Sequence, residues 1–224
     1  MPTELLPPSE PGICVVHADA DIVVLDKPSG LLSVPGRGAD KQDCLSARVK
    51  AEFSDALVVH RLDMSTSGLI VMARGAAAQR ALSEAFANRT VTKRYEAIVH
   101  GEVDPTGDDW RVIDLPIAVD WPNRPLRVIN PETGKPSVTR LQRLHVNAAR
   151  NTSHVLLEPL TGRTHQLRLH LQAIGHPILG DALYAPYPVI AMAPRLLLHA
   201  CVLGFAHPVS GVAMEFHRPM PVRA

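Results

Sequence analysis

The segment richest in chemistry is His60-Arg61-Leu62-Asp63-Met64-Ser65-Thr66-Ser67-Gly68. It puts a carboxylate and a guanidinium two residues apart in a polar turn, between the apolar runs Ala56–His60 and Gly68–Ala73. Such a turn offers a carboxylate whose direction can be fixed, and loops carried on rigid strands are where reactive groups are held. The small hydroxyl residues can hydrogen-bond backbone groups and so set the turn. On spacing alone the plainer reading prevails: a connector in which Arg61 and Asp63 form a surface ion pair of little energetic value.

Other chemistries lack their residues. There is no G-x-x-x-x-G-K-[ST] loop, no G-x-G-x-x-G and no G-x-S-x-G elbow, and Gly36-Arg37-Gly38 opens no helical pattern. The 11 histidines are poorly spaced for metal. His165 and His170 lie about 140° apart around a helix, and no H-E-x-x-H is present. Three scattered cysteines without a C-x-x-C pair argue against a disulfide scaffold or a cysteine zinc site. No metal and no diffusible cofactor is expected.

The elements that must position the turn follow from periodicity. Ile13–His17 and Ile22–Asp26 flank a polar turn and read as a hairpin, which Lys27-Pro28-Ser29-Gly30 then breaks. Cys44–Phe53 carries Leu45, Val49 and Phe53 on one helical face. Gly75–Asn88 does the same with Ala78, Leu82, Ala85 and Phe86. Lys93–His100 is a strand, and the proline-rich stretch 101–136 reads as loop. Val138–Val146 and Ser153–Glu158 read as paired strands, Thr164–Ile174 as a helix ended by Gly175, and Leu197–Ala206 with Val212–Phe216 as a final hairpin. Hairpins outnumber βαβ crossovers, so the expected fold is α+β, a mixed, largely antiparallel sheet with flanking helices. The expected organisation is a tail over 1–12, one domain over 13–217 and a tail over 218–224.

Composition narrows the class. With 46% hydrophobic and 20% charged residues the chain can bury a core and is not disordered. The apolar runs are too short to span a bilayer, and Met1–Gly12 lacks the basic flank of a signal peptide, so a cytoplasmic protein is expected. The net charge of +1 conceals a bias: residues 121–170 hold eight basic and two acidic side chains, and residues 61–100 hold six and three. Gathered on one face, these would attract a polyanion, with Arg124 and Arg127 as phosphate contacts. A solvated surface laced with local ion pairs explains the same counts.

Several blocks together resemble the RluA-type pseudouridine synthases. His60-Arg61-Leu62-Asp63-Met64-Ser65-Thr66-Ser67-Gly68 matches their H-R-L-D-x-x-T-S-G signature. Asp26-Lys27-Pro28-Ser29-Gly30 matches their N-terminal K-P-x-G motif, Lys93-Arg94-Tyr95-Glu96-Ala97 the strand with their active-site tyrosine, and Leu160–Arg168 their T-G-R-x-H-Q-[IL]-R block. The likeness runs from about residue 13 to 217, is strongest to the short dual-specificity branch, and leaves no room for the S4 domain of longer relatives. It implies the pseudouridine synthase fold and isomerisation of uridine to pseudouridine in RNA, in a 23S rRNA hairpin and in the tRNA anticodon stem-loop.

The resemblance also implies roles. Asp63 is the catalytic carboxylate, acting at C1′ or first as a base at C2′. Arg163 pairs with it and keeps it ionised. Tyr95 stacks on the base, and Arg61 fills the space left by the flipped nucleotide. Leu198, or a neighbour among Leu196–Leu198, forms an apolar wall, and His60, Thr66 and Arg124 complete the substrate contacts. No obligate protein partner is implied, and a monomer is expected. Two other classes compete: a non-catalytic RNA-binding module on the same fold, which has no need of a carboxylate facing phosphates, and a small-molecule nucleosidase, which leaves the basic 121–170 segment unexplained.

Overall fold

A computed structural model describes residues 12–105 and 109–221. The expected tails lie outside these residues over 1–11 and 222–224. In chain order the elements are β1 (Val15–Ala18), β2 (Ile22–Lys27), α1 (Leu45–Glu52), β3 (Ala56–Val58), β4 (Ser67–Arg74), α2 (Ala76–Ala87), β5 (Thr92–His100), β6 (Arg111–Asp114), β7 (Ile117–Val119), β8 (Arg127–Ile129), β9 (Val138–Asn147), β10 (Thr152–Pro159), α3 (Gln166–Ala173), α4 (Tyr187–Ile190), β11 (Leu198–Ala206) and β12 (Ala213–His217). Two compact units emerge. One is Arg94–Leu198; the other joins the described residues up to Lys93 with those from His199 onward.

In the unit that contains Asp63, β1 and β2 form the expected hairpin. Its turn is set by the Asp19 carboxylate, which accepts the N–H groups of Asp21 (2.8 Å) and Ile22 (2.9 Å). β4 runs antiparallel to β2 from Ala73 opposite Ile22 to Gly68 opposite Lys27, and antiparallel to β3. β11 joins the start of β4 in parallel, His199 opposite Ser67 and Ala200 opposite Gly68, and β12 returns antiparallel along β11. β2 and β4 are buried along nearly their whole length, which is why they read as unbroken apolar runs. Alternate residues Ile22, Val24, Leu69, Val71, Ala73, Leu203 and Phe205 form a core against Ala78 and Leu82 of α2. Full burial of one such leucine contributes about 2 kcal/mol.

The second unit orders its strands β5-β10-β9-β6, all antiparallel, with β7 and β8 as a separate ribbon. Its core joins Ala97, Val99, Leu141, Val155 and Leu157 to Leu167 and Leu171 of α3. The stretch expected as loop over 101–136 thus contains three strands. Each has only three or four residues, too few to show an alternation, and each exists because a partner strand completes its hydrogen bonds. α3 begins at Gln166 rather than Thr164, because His165 takes a left-handed φ of 58° and the Gln166 N–H turns back to Arg163 C=O (3.1 Å). It ends as expected: Gly175 has φ 86°, and the His176 N–H reaches Leu171 C=O (2.9 Å). No helix among the described residues is long and apolar enough to cross a membrane.

Candidate active site

The turn around Asp63 is held from beneath by the segment that follows β2. Lys27, fully buried, donates from Nζ to the carbonyls of Pro28 (2.8 Å), Leu31 (2.8 Å) and Met64 (3.1 Å). The Gly30 N–H donates to the same Met64 carbonyl (2.9 Å). Ser29 Oγ donates to Ser65 C=O (2.7 Å), and Ser33 Oγ donates to Leu62 C=O (2.7 Å) while accepting the Leu62 N–H (3.1 Å). The Thr66 N–H closes the turn on Asp63 C=O (3.1 Å). The backbone on both sides of Asp63 is therefore fixed by hydrogen bonds from one segment. Its side chain stays half-buried and that of Arg61 exposed, whereas Thr66 is buried. Burial pushes the Lys27 ammonium down to about 7, opposed by the nearby Asp63 carboxylate.

His60 enters this turn and is committed internally. Its Nε2 accepts the Val71 N–H (3.2 Å), which puts the proton of the neutral ring on Nδ1, and the ring stacks on Phe86 with centroids 4.3 Å apart. Burial holds its pKa down to about 3, and the Lys93 ammonium presses the same way. At the other end of the turn, His199 Nε2 donates to Arg218 C=O (3.1 Å), so Nδ1 accepts from Ser67 Oγ (2.9 Å) and ties β4 to β11.

In the second unit one buried side chain shapes the Arg163 turn. Gln166 Oε1 accepts from Thr161 Oγ1 (2.7 Å) and from the Arg163 N–H (3.0 Å). Its Nε2 donates to Val138 C=O and Thr139 Oγ1, both at 3.0 Å. Arg163 itself is exposed. His165 Nδ1 meets Tyr184 Oη at 2.7 Å, and that hydroxyl accepts the Arg127 N–H (3.0 Å). Tyr184 is carried by a buried bidentate pair, Arg168 with Asp181 (2.6 and 2.9 Å), whose carboxylate also accepts the Tyr184 N–H (3.2 Å). Removing one partner of such a pair costs about 3–5 kcal/mol.

Of the predicted site residues, His60, Arg61, Asp63 and Thr66 share one clamped segment. Tyr95, half-buried on β5, and Leu198, 3% exposed, pack in the same core of the second unit. Arg163 lines a groove of about 710 Å³ with Arg127, and the Arg124 guanidinium stacks on Trp121 of that groove, 3.6 Å from the ring centroid. The sequence reading missed the work of Lys27, Ser33 and Gln166; for Lys27 and Gln166 the signal was present, because both stand inside the quoted blocks. Among the described residues one cluster has metal-ligand types close together, Asp19, Asp21 and His207, at the β1–β2 turn. It carries none of the motif residues, and Asp19 is engaged by His17 (2.9 Å) and by backbone.

The chain as a whole, by sequence and by fold, is similar to known proteins. The family model described as RNA pseudouridylate synthase matches residues 21–173. The dual-specificity RNA pseudouridine synthase RluA of Escherichia coli K12 is 48% identical over 213 residues, covering 95% of both chains. That of Pasteurella multocida is 46% identical over the same length and coverage. Among solved structures, human RNA pseudouridylate synthase domain containing 1 aligns at TM-score 0.79 and 31% identity, over 96% of this chain and 87% of its own. The chain belongs to the RNA pseudouridylate synthase family. It is an isomerase that converts uridine to pseudouridine in RNA, which favours the catalytic reading over a binding module.

Proposed function

We propose that the chain acts at two kinds of RNA site, a uridine in a 23S rRNA hairpin and one in the tRNA anticodon stem-loop, as a monomer in the cytoplasm. Its catalytic domain spans residues 13–217. The observation that carries the reading is the hydrogen-bonded clamp on Leu62, Met64 and Ser65, which holds Asp63 in a fixed place while its side chain stays half-buried. The dual specificity in the relatives' name supports two classes of target.

In the isomerisation the C1′–N1 bond breaks, a C1′–C5 bond forms, N1 gains a proton and C5 loses one. Asp63 supplies the carboxylate that meets the sugar, as a nucleophile at C1′ or a base at C2′. Arg163 is the cation assigned to direct that carboxylate. Tyr95 stacks on the base and assists removal of the C5 proton. The target nucleotide must leave its stack, at a cost of a few kcal/mol, and Arg61 fills the vacated space. Thr66, Leu198 and Arg124 complete the contacts with substrate, and His60 serves them by holding the turn. Hairpin loops suit this chemistry because their bases are already splayed.

The test is incubation of purified protein with unmodified anticodon stem-loop and 23S hairpin transcripts, without added metal. Pseudouridine is expected in both, and Asp63→Asn is expected to lower the rate by at least about 10³-fold, as loss of an essential catalytic group does. Tight binding without product in the wild-type protein overturns the proposal.

A further inference from the structure

The groove beside Arg163 has more recognition chemistry than the reaction uses. Its walls come from β7, β8, the turn between them and Gly162–Thr164. Arg127, Lys135 and Arg163 line it, against one acidic side chain, Asp120. That carboxylate is already turned to Asn123, whose Nδ2 donates to both its oxygens (3.2 and 3.1 Å). Among the described residues Arg124, Arg127 and Lys135 form no salt bridge. Excess cation in a concave site is what a phosphate backbone would neutralise.

The unusual member is Trp121. It lines the groove and is 69% exposed, a costly state for the largest apolar side chain. The 120–126 turn keeps it there. The Asp120 N–H donates to Leu126 C=O (3.2 Å) and the Leu126 N–H to Asn123 C=O (3.0 Å). Arg124 lies on the indole at 3.6 Å, covering one face with a planar cation and leaving the other for a second planar group. An exposed aromatic ring in a groove that cations also line is the combination by which single-stranded nucleic acid is held: base on the ring, phosphates on the cations.

We infer that this groove binds an unpaired nucleotide of the RNA substrate other than the target uridine, with its base stacked on Trp121 and its phosphates on Arg127 and Lys135. The inference rests on the RNA-isomerase reading, and it makes Trp121 a specificity residue rather than a catalytic one. The stack reads the presence of a splayed base, so it favours loops over duplex.

The test uses fluorescence in a Trp110→Phe background, where Trp121 is the remaining tryptophan. Titration with an unmodified anticodon stem-loop is expected to quench its emission saturably, and the quench is expected to vanish when one particular non-target loop nucleotide is made abasic. In steady-state kinetics Trp121→Ala is expected to lower kcat/KM about tenfold through KM, and Trp121→Phe to restore it to within about threefold. A quench indifferent to every abasic substitution, quenching by an acidic peptide but not by RNA, or a Trp121→Ala kcat/KM within twofold of wild type overturns the inference. Absence of pseudouridine with the wild-type protein overturns the isomerase reading instead, and the titration still reports on the groove.

Discussion

At the scale of single residues, the site depends on polar groups whose hydrogen bonds each require one protonation state. His60 is the clearest case. Its Nε2 must stay unprotonated to accept the Val71 N–H, and its folded pKa is about 3 against an ordinary 6.5. Between these values the unfolded chain binds a proton that the folded chain does not, so stability falls as pH drops from about 6.5 towards 3. The slope from this one group is about 1.4 kcal/mol per pH unit across that window. Urea unfolding from pH 7 to 4 is expected to show it, and His60→Gln to flatten it. An unchanged slope in the variant would dismiss the neutral imidazole. Lys27 is a second such group: its three N–H donors meet three carbonyls, an arrangement that only the protonated ammonium satisfies in full. Neither role was legible beforehand. The motif blocks marked both residues, but a side chain's hydrogen-bond partners are set by chain segments far away in sequence.

At the scale of elements, β4 anchors the end of the Asp63 turn. Its residues Gly68–Ala73 were readable as a strand because burial on both faces demands an apolar run. The parallel pairing with β11 was not readable, since its partners lie 132 residues apart. Gly68 makes that pairing possible. It has φ 108°, and a Cβ there would stand 2.4 Å from the Ala200 carbonyl oxygen. Gly68→Ala is therefore expected to destabilise the protein by about 2 kcal/mol or more, lowering the melting temperature by several degrees. Calorimetry measures this directly, and a melting temperature unchanged within one degree would show that β11 can give way. The short strands β6, β7 and β8 repeat the lesson: within a proline-rich stretch, pairing rather than propensity makes the strand.

At the scale of the whole molecule, charge distribution outweighs net charge. The chain carries only +1, yet residues 121–170 hold a surplus of six positive charges, and three of those cations line the groove. Binding of an RNA hairpin is expected to weaken steeply with salt, because each neutralised phosphate releases counterions. For three or four contacts the slope of log Kobs against log[salt] should be about −3, and Lys135→Gln should reduce its magnitude by about 1. Filter binding between about 50 and 200 mM salt reads both values. A flat response would remove the electrostatic basis of recognition.

The sequence by itself determined the class of fold, most element positions, the location of the basic segment and the blocks that mark the family. These are properties of local periodicity and residue type, which neighbouring residues specify. Only the tertiary structure decided that the Lys27–Ser33 segment clamps the Asp63 turn, that Gln166 shapes the Arg163 turn, and that Trp121 stands exposed among cations. Each of these depends on which distant segments the chain brings within hydrogen-bonding or stacking distance, and that follows from the packing inside each unit rather than from any window of sequence.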